Sequence, residues 1–480
     1  VGGTAWLFLR LLGLTYLVAF LSLAGQVQGL IGPQGLLPAA GLLDSLSARL
    51  GPERFWLLPT VFWLGAGEAA LRVGALAGIG LSLLLVVGVL PLPTLGLLWA
   101  LYLSFTSVGQ IFLGYQWDSL LLEAGFLALF LAPPRLFPRP GRESEPSPLA
   151  LWLLRFLLFR LMLSSGLVKL ESGDPSWWGL TALRVHYETQ PLPTWVGWWA
   201  HQLPPWFHTL SGVLMFVAEL GVPLLLFAPR RLRIAGAAAL VAFQLLIAAT
   251  GNYGFFNLLT IVLCVLALDD LALPARLRAR LSAPEARPPR PWPVWVLAPM
   301  GALVVFVSLA QMAGRAGLDV PWPSPALALF RAVAPFRTIN PYGLFAVMTT
   351  SRPEILVEGS ADGETWKAYE FRWKPGDLTR APAFVAPHQP RLDWQMWFAA
   401  LETCEENPWF VRFLVKLLEG SPPVLGLLGK NPFPDRPPRF VRAVLYEYRF
   451  TRPARPWSER AWWTRERTGL YCPVLSREGD

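Results

Sequence analysis

Charge is scarce in this 480-residue chain: Asp, Glu, Lys and Arg make up 15% of it, against about 25% in an average soluble domain. That shortage excludes an ordinary soluble enzyme. Disorder is excluded as well, because 54% of the residues are hydrophobic and their burial offsets the entropy of ordering the chain. Cysteine numbers three, with no CxxC pair, so no disulfide scaffold organises the fold. Cys264 lies in an apolar run, whereas Cys404 and Cys472 share a more polar region and could pair. Four histidines (His186, His201, His208 and His388) are too few and too scattered to call for a metal, which needs about three or four ligands. GxGxxG, the P-loop, GxSxG and HExxH are all missing, and no cofactor is called for. Net charge is +9, but the arginines sit in short loops between apolar runs. Their placement is that of a membrane topology signal, not of a nucleic-acid surface.

What is present is a series of long apolar runs. A span takes roughly 20 such residues, and nine segments approach that: about 6–24, 72–90, 94–113, 117–133, 149–168, 207–227, 234–249, 253–271 and 293–312. The stretch 55–66 is too short to cross and reads as interfacial. Three basic loops (Arg135, Arg139 and Arg142; Arg230, Arg231 and Arg233; Arg276, Arg278, Arg280, Arg287 and Arg290) belong on the cytoplasmic side. One alternation satisfies all three. It puts the N-terminus inside, and it puts loops 25–71, 169–206 and about 250–253, with everything after 312, outside.

Composition then shifts. Residues 1–317 hold 14 acidic and 20 basic residues; residues 318–480 hold 18 and 21 in about half the length. The expected architecture is a polytopic α-helical membrane domain, 1–317, followed by a soluble, extracytoplasmic domain, 318–480. Alternation in EILVEGS, the turn Ala361-Asp362-Gly363 and renewed alternation from Trp366 to Trp373 predict a hairpin over 354–373. FVRAVLYEYRF (440–450) reads as another strand, and 394–401 and 408–418 as helices. The expected fold is an antiparallel β-sandwich-like domain with a helical insertion. The EGSADGETW turn resembles those of galactose-binding-like jelly rolls.

Polar residues within the spans are the candidates for function. A charge at bilayer depth costs about 2.5–3.5 kcal/mol on insertion scales, so it faces a partner or a cavity. Asp118, Glu123, Arg155, Arg160 and Glu219 are such residues. They read either as ion pairs fixing helix packing or as the lining of a cavity for a ligand's head group. Lys169 is the only lysine in the first 366 residues, at the outer end of the fifth span. A desolvated Lys can act as a base, which Arg cannot; the alternative is that it snorkels to the interface. The loop beyond is crowded with Trp177, Trp178, Trp195, Trp198, Trp199 and Trp206, an aromatic belt. The belt does not account for Arg184, His186, Tyr187, Glu188 and Gln190. Asp393, Trp394, Trp397 and Phe398 in RLDWQMWF are of the type that anchors binding surfaces, or else they form core under the sheet.

Several long strings are specific. SGLVKLESGDPSWWGLTALRVHYETQPLP, WWAHQLPPWFH, GYQWDSLLLEAGFLA, NPYGLFAVMT, VAPHQPRLDWQMWFAAL, NPWFVRFLVKLLEGSPPVLGLL and PPRFVRAVLYEYRF resemble the lipase maturation factors over nearly the whole chain. The resemblance implies a multi-pass membrane protein, not known as an enzyme, that helps an exported client such as a lipase to fold and assemble. Its characterised animal members are in the endoplasmic reticulum, with the C-terminal region in the lumen. The dominance of Arg over Lys and the lack of N-x-S/T sequons point to a bacterial source, and so to the bacterial inner membrane; in a eukaryote the endoplasmic reticulum would take its place. Expected partners are the client and membrane lipid. SGLVKL is also distantly similar to the segment holding the catalytic Lys of the vitamin K-dependent carboxylases. That likeness implies a second reading: a membrane enzyme acting on a lipophilic cosubstrate, with Lys169 as base and Arg155, Arg160 and Glu219 around it.

Overall fold

A computed structural model describes residues 2–138, 145–281, 292–453 and 461–477; of 277, 280 and 281 only the backbone is described. Arg139, Arg142, Arg287 and Arg290, and the side chain of Arg280, lie outside the described residues.

Each of the nine apolar segments is helical. Seven are long and apolar enough to cross a membrane: α1 (Gly2–Ala24), α2 (Glu68–Val87), α3 (Pro91–Val108), a helix at Pro148–Glu171, another over Pro205–Phe227, one at Arg230–Thr250 and one at Val294–Arg315. The expected count of nine is therefore reduced. The other two, α4 (Gln116–Leu129) and the apolar stretch Phe256–Ala267, are shorter than a bilayer core. In α4 almost every residue from Trp117 to Ala128 is buried, and a helix wrapped in protein need not match the lipid thickness. After α4 come α5 (Pro148–Glu171), α6 (Leu183–Thr189), α7 (Pro205–Phe216), α8 (Arg230–Thr250), α9 (Phe256–Cys264), α10 (Val294–Arg315) and α11 (Ser324–Val333).

The bundle has two distinct ends. At one, Thr4 meets Asp270, Arg230 meets Asp269, and the α2–α3 turn lies against 133–136 through Leu90 N to Leu136 O. At the other, residues 22–26 bond to 389–391, and Asp174 accepts from Met348 N. The C-terminal part caps this second end.

That part is a single four-stranded antiparallel sheet in the order β2-β1-β3-β4, from β1 (Pro353–Ser360), β2 (Lys367–Ala368), β3 (Phe440–Phe450) and β4 (Trp463–Ser476). β1 and β2 form the expected hairpin with a much shortened second strand, and β3 pairs with β1 along its length. There is no second sheet among the described residues, so the sandwich expectation is corrected. Its place is taken by α12 (Arg391–Ala400) and α13 (Pro408–Glu419), which pack on β1, β3 and β4. Phe410, Phe413, Leu414 and Leu417 lie on one face of α13 and are buried. A helical layer thus satisfies the sheet's apolar face. Cys404 and Cys472 are joined in a disulfide that ties β4 to the turn after α12.

Candidate functional site

Pro223 shapes one of the polar points inside the bundle. A proline has no N–H to give the carbonyl four residues before it, and its ring crowds that carbonyl. Four before Pro223 is Glu219. The helix over Pro205–Phe227 widens there: α7 ends at Phe216, Val217–Gly221 makes a π-helical turn and Val222–Phe227 a 3-10 helix. Single π turns recur at functional sites, and this one aims Glu219 into the protein. Gly166 on α5 faces it. A Cβ at Gly166 would come within 2.5 Å of Leu220 Cδ2 and 3.2 Å of Glu219 Cβ, so the glycine allows the close approach.

Lys169, one turn along α5, donates from Nζ to both Glu219 oxygens at 2.9 and 2.8 Å and to the Ser165 carbonyl at 3.0 Å. All three ammonium hydrogens are engaged. Lys169 is 3% exposed and Glu219 6%, and the Trp177 ring centroid lies 5.4 Å from Nζ. Removing one partner of such a buried pair costs about 3–5 kcal/mol, because the other charge is stranded.

The pair forms one corner of a cavity of about 120 Å³ between α5, α6, α7 and α8, whose walls include Met162, Met215, Phe243, Ile247 and Phe345. His186 and Tyr253 complete the polar corner. Gln190 fixes their hydrogens: its Nε2 donates to the carbonyls of Tyr187 and Thr250, so its Oε1 must be the acceptor, at 2.7 Å, of the Tyr253 hydroxyl. His186 Nε2, 3.4 Å from that hydroxyl, is then the donor, and Nδ1 is left as an acceptor. Burial, and after it the Lys169 charge, pulls the His186 pKa down to about 4, so the ring is neutral at physiological pH.

The remaining sequence candidates lie elsewhere, and the charged ones are hydrogen-bonded or ion-paired, while Arg160 Nε and Trp394 Nε1 are buried without a hydrogen-bond partner. Asp118 receives both Arg391 amino groups at 2.9 and 2.8 Å and the Tyr102 hydroxyl at 2.5 Å. Glu123 pairs with Arg160 and accepts from Asn340 N at 2.9 Å and Tyr342 Oη at 2.7 Å. Arg155 donates to the Leu266 carbonyl. Glu188 accepts from Phe450 N at 2.6 Å, and burial raises its pKa. On α12, Asp393 is buried and caps the backbone N–H groups of Trp373 and Lys374, Trp394 is buried against Tyr115 and Trp117, and Trp397 Nε1 donates to Thr189 O. Phe398 is the exposed member of that set, at 37%. Among the described residues no cluster of three or more His, Cys, Asp or Glu could hold a metal.

Sequence reasoning missed Arg391 and Arg352, and it noted Gln190 only as one of the cluster that the aromatic belt does not explain. Arg352 donates to the carbonyls of Glu188, Gln190 and Pro191 and to Glu354, which fixes the HYETQPLP turn to the sheet. Its position after β-free sequence carries no spacing signal. Arg391 lies inside the specific string VAPHQPRLDWQMWFAAL, and that string was the available signal.

A multi-pass bundle of apolar helices with a sheet-and-helix cap, its parts clamped together by buried ion pairs, defines a helical integral-membrane protein. The chain belongs to the lipase maturation factor family: the lipase maturation factor transmembrane domain matches residues 3–275, and the lipase maturation factor C-terminal domain matches 338–473. It is 36% identical to lipase maturation factor 2 of Rattus norvegicus over 98% of this chain and 82% of that protein. It is 38% identical to lipase maturation factor 1 of Bos taurus, over 99% and 90% respectively. Lipase maturation factor 1 of Mus musculus is 37% identical over 99% and 88%. No solved structure matches the chain.

Proposed function

We propose that this protein is a membrane-embedded maturation factor that assists the folding or assembly of an exported client, and that the client is a secreted lipase. The observation that carries the reading is similarity along almost the entire chain, membrane part and C-terminal part together, to proteins named for lipase maturation. In this reading residues 1–317 form the membrane part with the N-terminus in the cytoplasm, and 318–480 face the exported client. The Cys404–Cys472 disulfide supports an oxidising compartment for that part. Phe398 and Leu401, 37% and 41% exposed, are the client-facing members of the α12 region, while Asp393, Trp394 and Trp397 hold the helix in position. The Lys169–Glu219 corner keeps α5 and the π turn together.

The test co-expresses the full chain with a secreted lipase in cells lacking their own maturation factor. Lipase activity per mass of secreted lipase should rise with the full chain, and should rise less with Phe398→Asp at equal membrane abundance. An unchanged specific activity with abundant full-length protein sinks the client assignment. Reporter fusions at position 200 and after Asp480 should both report the extracytoplasmic side; cytoplasmic activity at either point refutes the orientation.

A further inference from the structure

The polar corner of the cavity beside Lys169 is one-sided in its chemistry. At the Lys169–Glu219 corner the donors are used up: Lys169 has given its three hydrogens to Glu219 and Ser165, Ser165 Oγ donates to the Leu161 carbonyl, and Tyr253 donates to Gln190; the Tyr187 and Ser211 hydroxyls and the Gln244 amide line other parts of the wall. Acceptors remain. Each Glu219 oxygen takes only one of those hydrogen bonds, and His186 Nδ1 and the Ser165 hydroxyl oxygen have free lone pairs. Net charge at the corner is zero, since Lys169 and Glu219 cancel and His186 is neutral. An anionic head would meet the Glu219 carboxylate with no free cation to answer it, and a cationic head would meet Lys169.

The way in is from the side. Leu246 on α8 lines the cavity and is 59% exposed; Ser211 on α7 lines it too and is half-buried. α7 packs on α6 and on the π turn, and it shares no extended contact with α8. The outer faces of both helices are apolar and exposed, through Val213, Leu214, Leu245 and Leu246, and both belong to segments long enough to cross a bilayer. A slot between two such helices opens onto hydrocarbon, not water. Its volume of about 120 Å³ is roughly ten times what one water needs, enough for a small head group and the start of a chain.

We propose that this slot is a binding site for a neutral, hydroxyl-bearing lipid of the acylglycerol type, which enters between α7 and α8 and donates its hydroxyl to Glu219. The acyl chain lies along Met215, Phe243 and Ile247 and leaves past Leu246. This site is independent of the client surface on α12, so the maturation reading can stand or fall without it.

Native mass spectrometry of the full chain in detergent, with 1-oleoylglycerol, methyl oleate or oleate added singly at pH 7.5, tests it. One buried hydrogen bond and its desolvation balance should favour 1-oleoylglycerol over methyl oleate by about tenfold. Leu246→Trp enlarges the exposed residue at the mouth of the cavity, on an outer face where Trp is tolerated, and should abolish the preference by closing that mouth. Lys169→Met with Glu219→Met keeps the volume while removing every side-chain acceptor at 219, and should lower 1-oleoylglycerol binding about tenfold by the same reasoning. Equal retention of 1-oleoylglycerol and methyl oleate, preference for oleate, or retention unaffected by Leu246→Trp each overturns the proposal.

Discussion

Lys169 was conspicuous in the sequence because it stands alone among arginines, and Glu219 because it interrupts an apolar run. That they meet was not legible: they lie 50 positions apart, and the encounter depends on a π turn set by Pro223 and on the missing Cβ of Gly166. The pair predicts a non-additive stability. Lys169→Met alone or Glu219→Gln alone strands a buried partner and should cost about 3–5 kcal/mol, whereas the double variant should cost much less than their sum. Thermal unfolding in detergent of the four proteins measures this, and simple additivity would remove the pair from any structural role. His388 gives a second prediction at this scale. Its Nδ1 lies 2.9 Å from Ser22 Oγ, and burial, followed by the charges of Arg391 and Arg372, lowers its pKa from 6.5 to about 4. Between those values the unfolded chain binds the proton and the folded one does not. The contribution is therefore complete above pH 6.5 and is lost progressively as pH falls toward 4. In His388→Asn the midpoint of unfolding should decline less steeply across that window than in the parent; parallel declines would show that His388 is not responsible.

At the scale of elements, the strong strands announced themselves and β4 did not. β1 and β3 alternate cleanly around a turn, whereas β4 contains Gly469 and Pro473 and the charged run Arg465-Glu466-Arg467, all of which argue against a strand by local propensity. The sheet accepts them because β4 is an edge. A proline needs no ladder partner there, irregular register between β3 and β4 absorbs the mismatch, and charges protect the open edge from pairing with another chain. The helical cover was legible as helices but not as the sheet's second layer, since alternation reports that a face is buried and not what buries it. An edge strand of such composition needs a further tie, and the disulfide closes a separation of 68 residues. Replacing both cysteines, Cys404→Ser with Cys472→Ser, should destabilise the sheet by about 2–5 kcal/mol. Limited proteolysis should then cut first near β4. A cleavage pattern matching the parent would show that the bond adds nothing to an edge already held by packing.

Across the whole molecule, composition divides the chain near 317 while packing does not. One continuous core runs from the α1 residues Phe8 and Leu12 to the α13 residues Phe410 and Leu414, and the joint is polar as well as apolar. Asn252 binds the backbone at 383, 385 and 386, Gln26 holds Gln389 and Arg391, and Asp118 takes the Arg391 guanidinium in two parallel hydrogen bonds. Charge counting sees how often a region meets water, which is why it puts a change of composition near 317. It cannot see that a single arginine from the polar part is sunk, with no exposure, among α3, α4 and α12. A fork-shaped pair of this kind fixes orientation as well as distance, so the two parts should fold as one cooperative unit. Arg391→Met leaves Asp118 charged and unanswered in the core, and the expected loss is about 3–5 kcal/mol. The place where the loss appears decides the issue. Amide exchange measured by mass spectrometry in detergent should quicken in α3 and α4 as well as in α12, because the stranded carboxylate lies in the membrane part. If exchange rises in α12 and the sheet while α3 and α4 keep the protection of the parent protein, the C-terminal part is an independently stable cap, and the clamp at Asp118 only orients it.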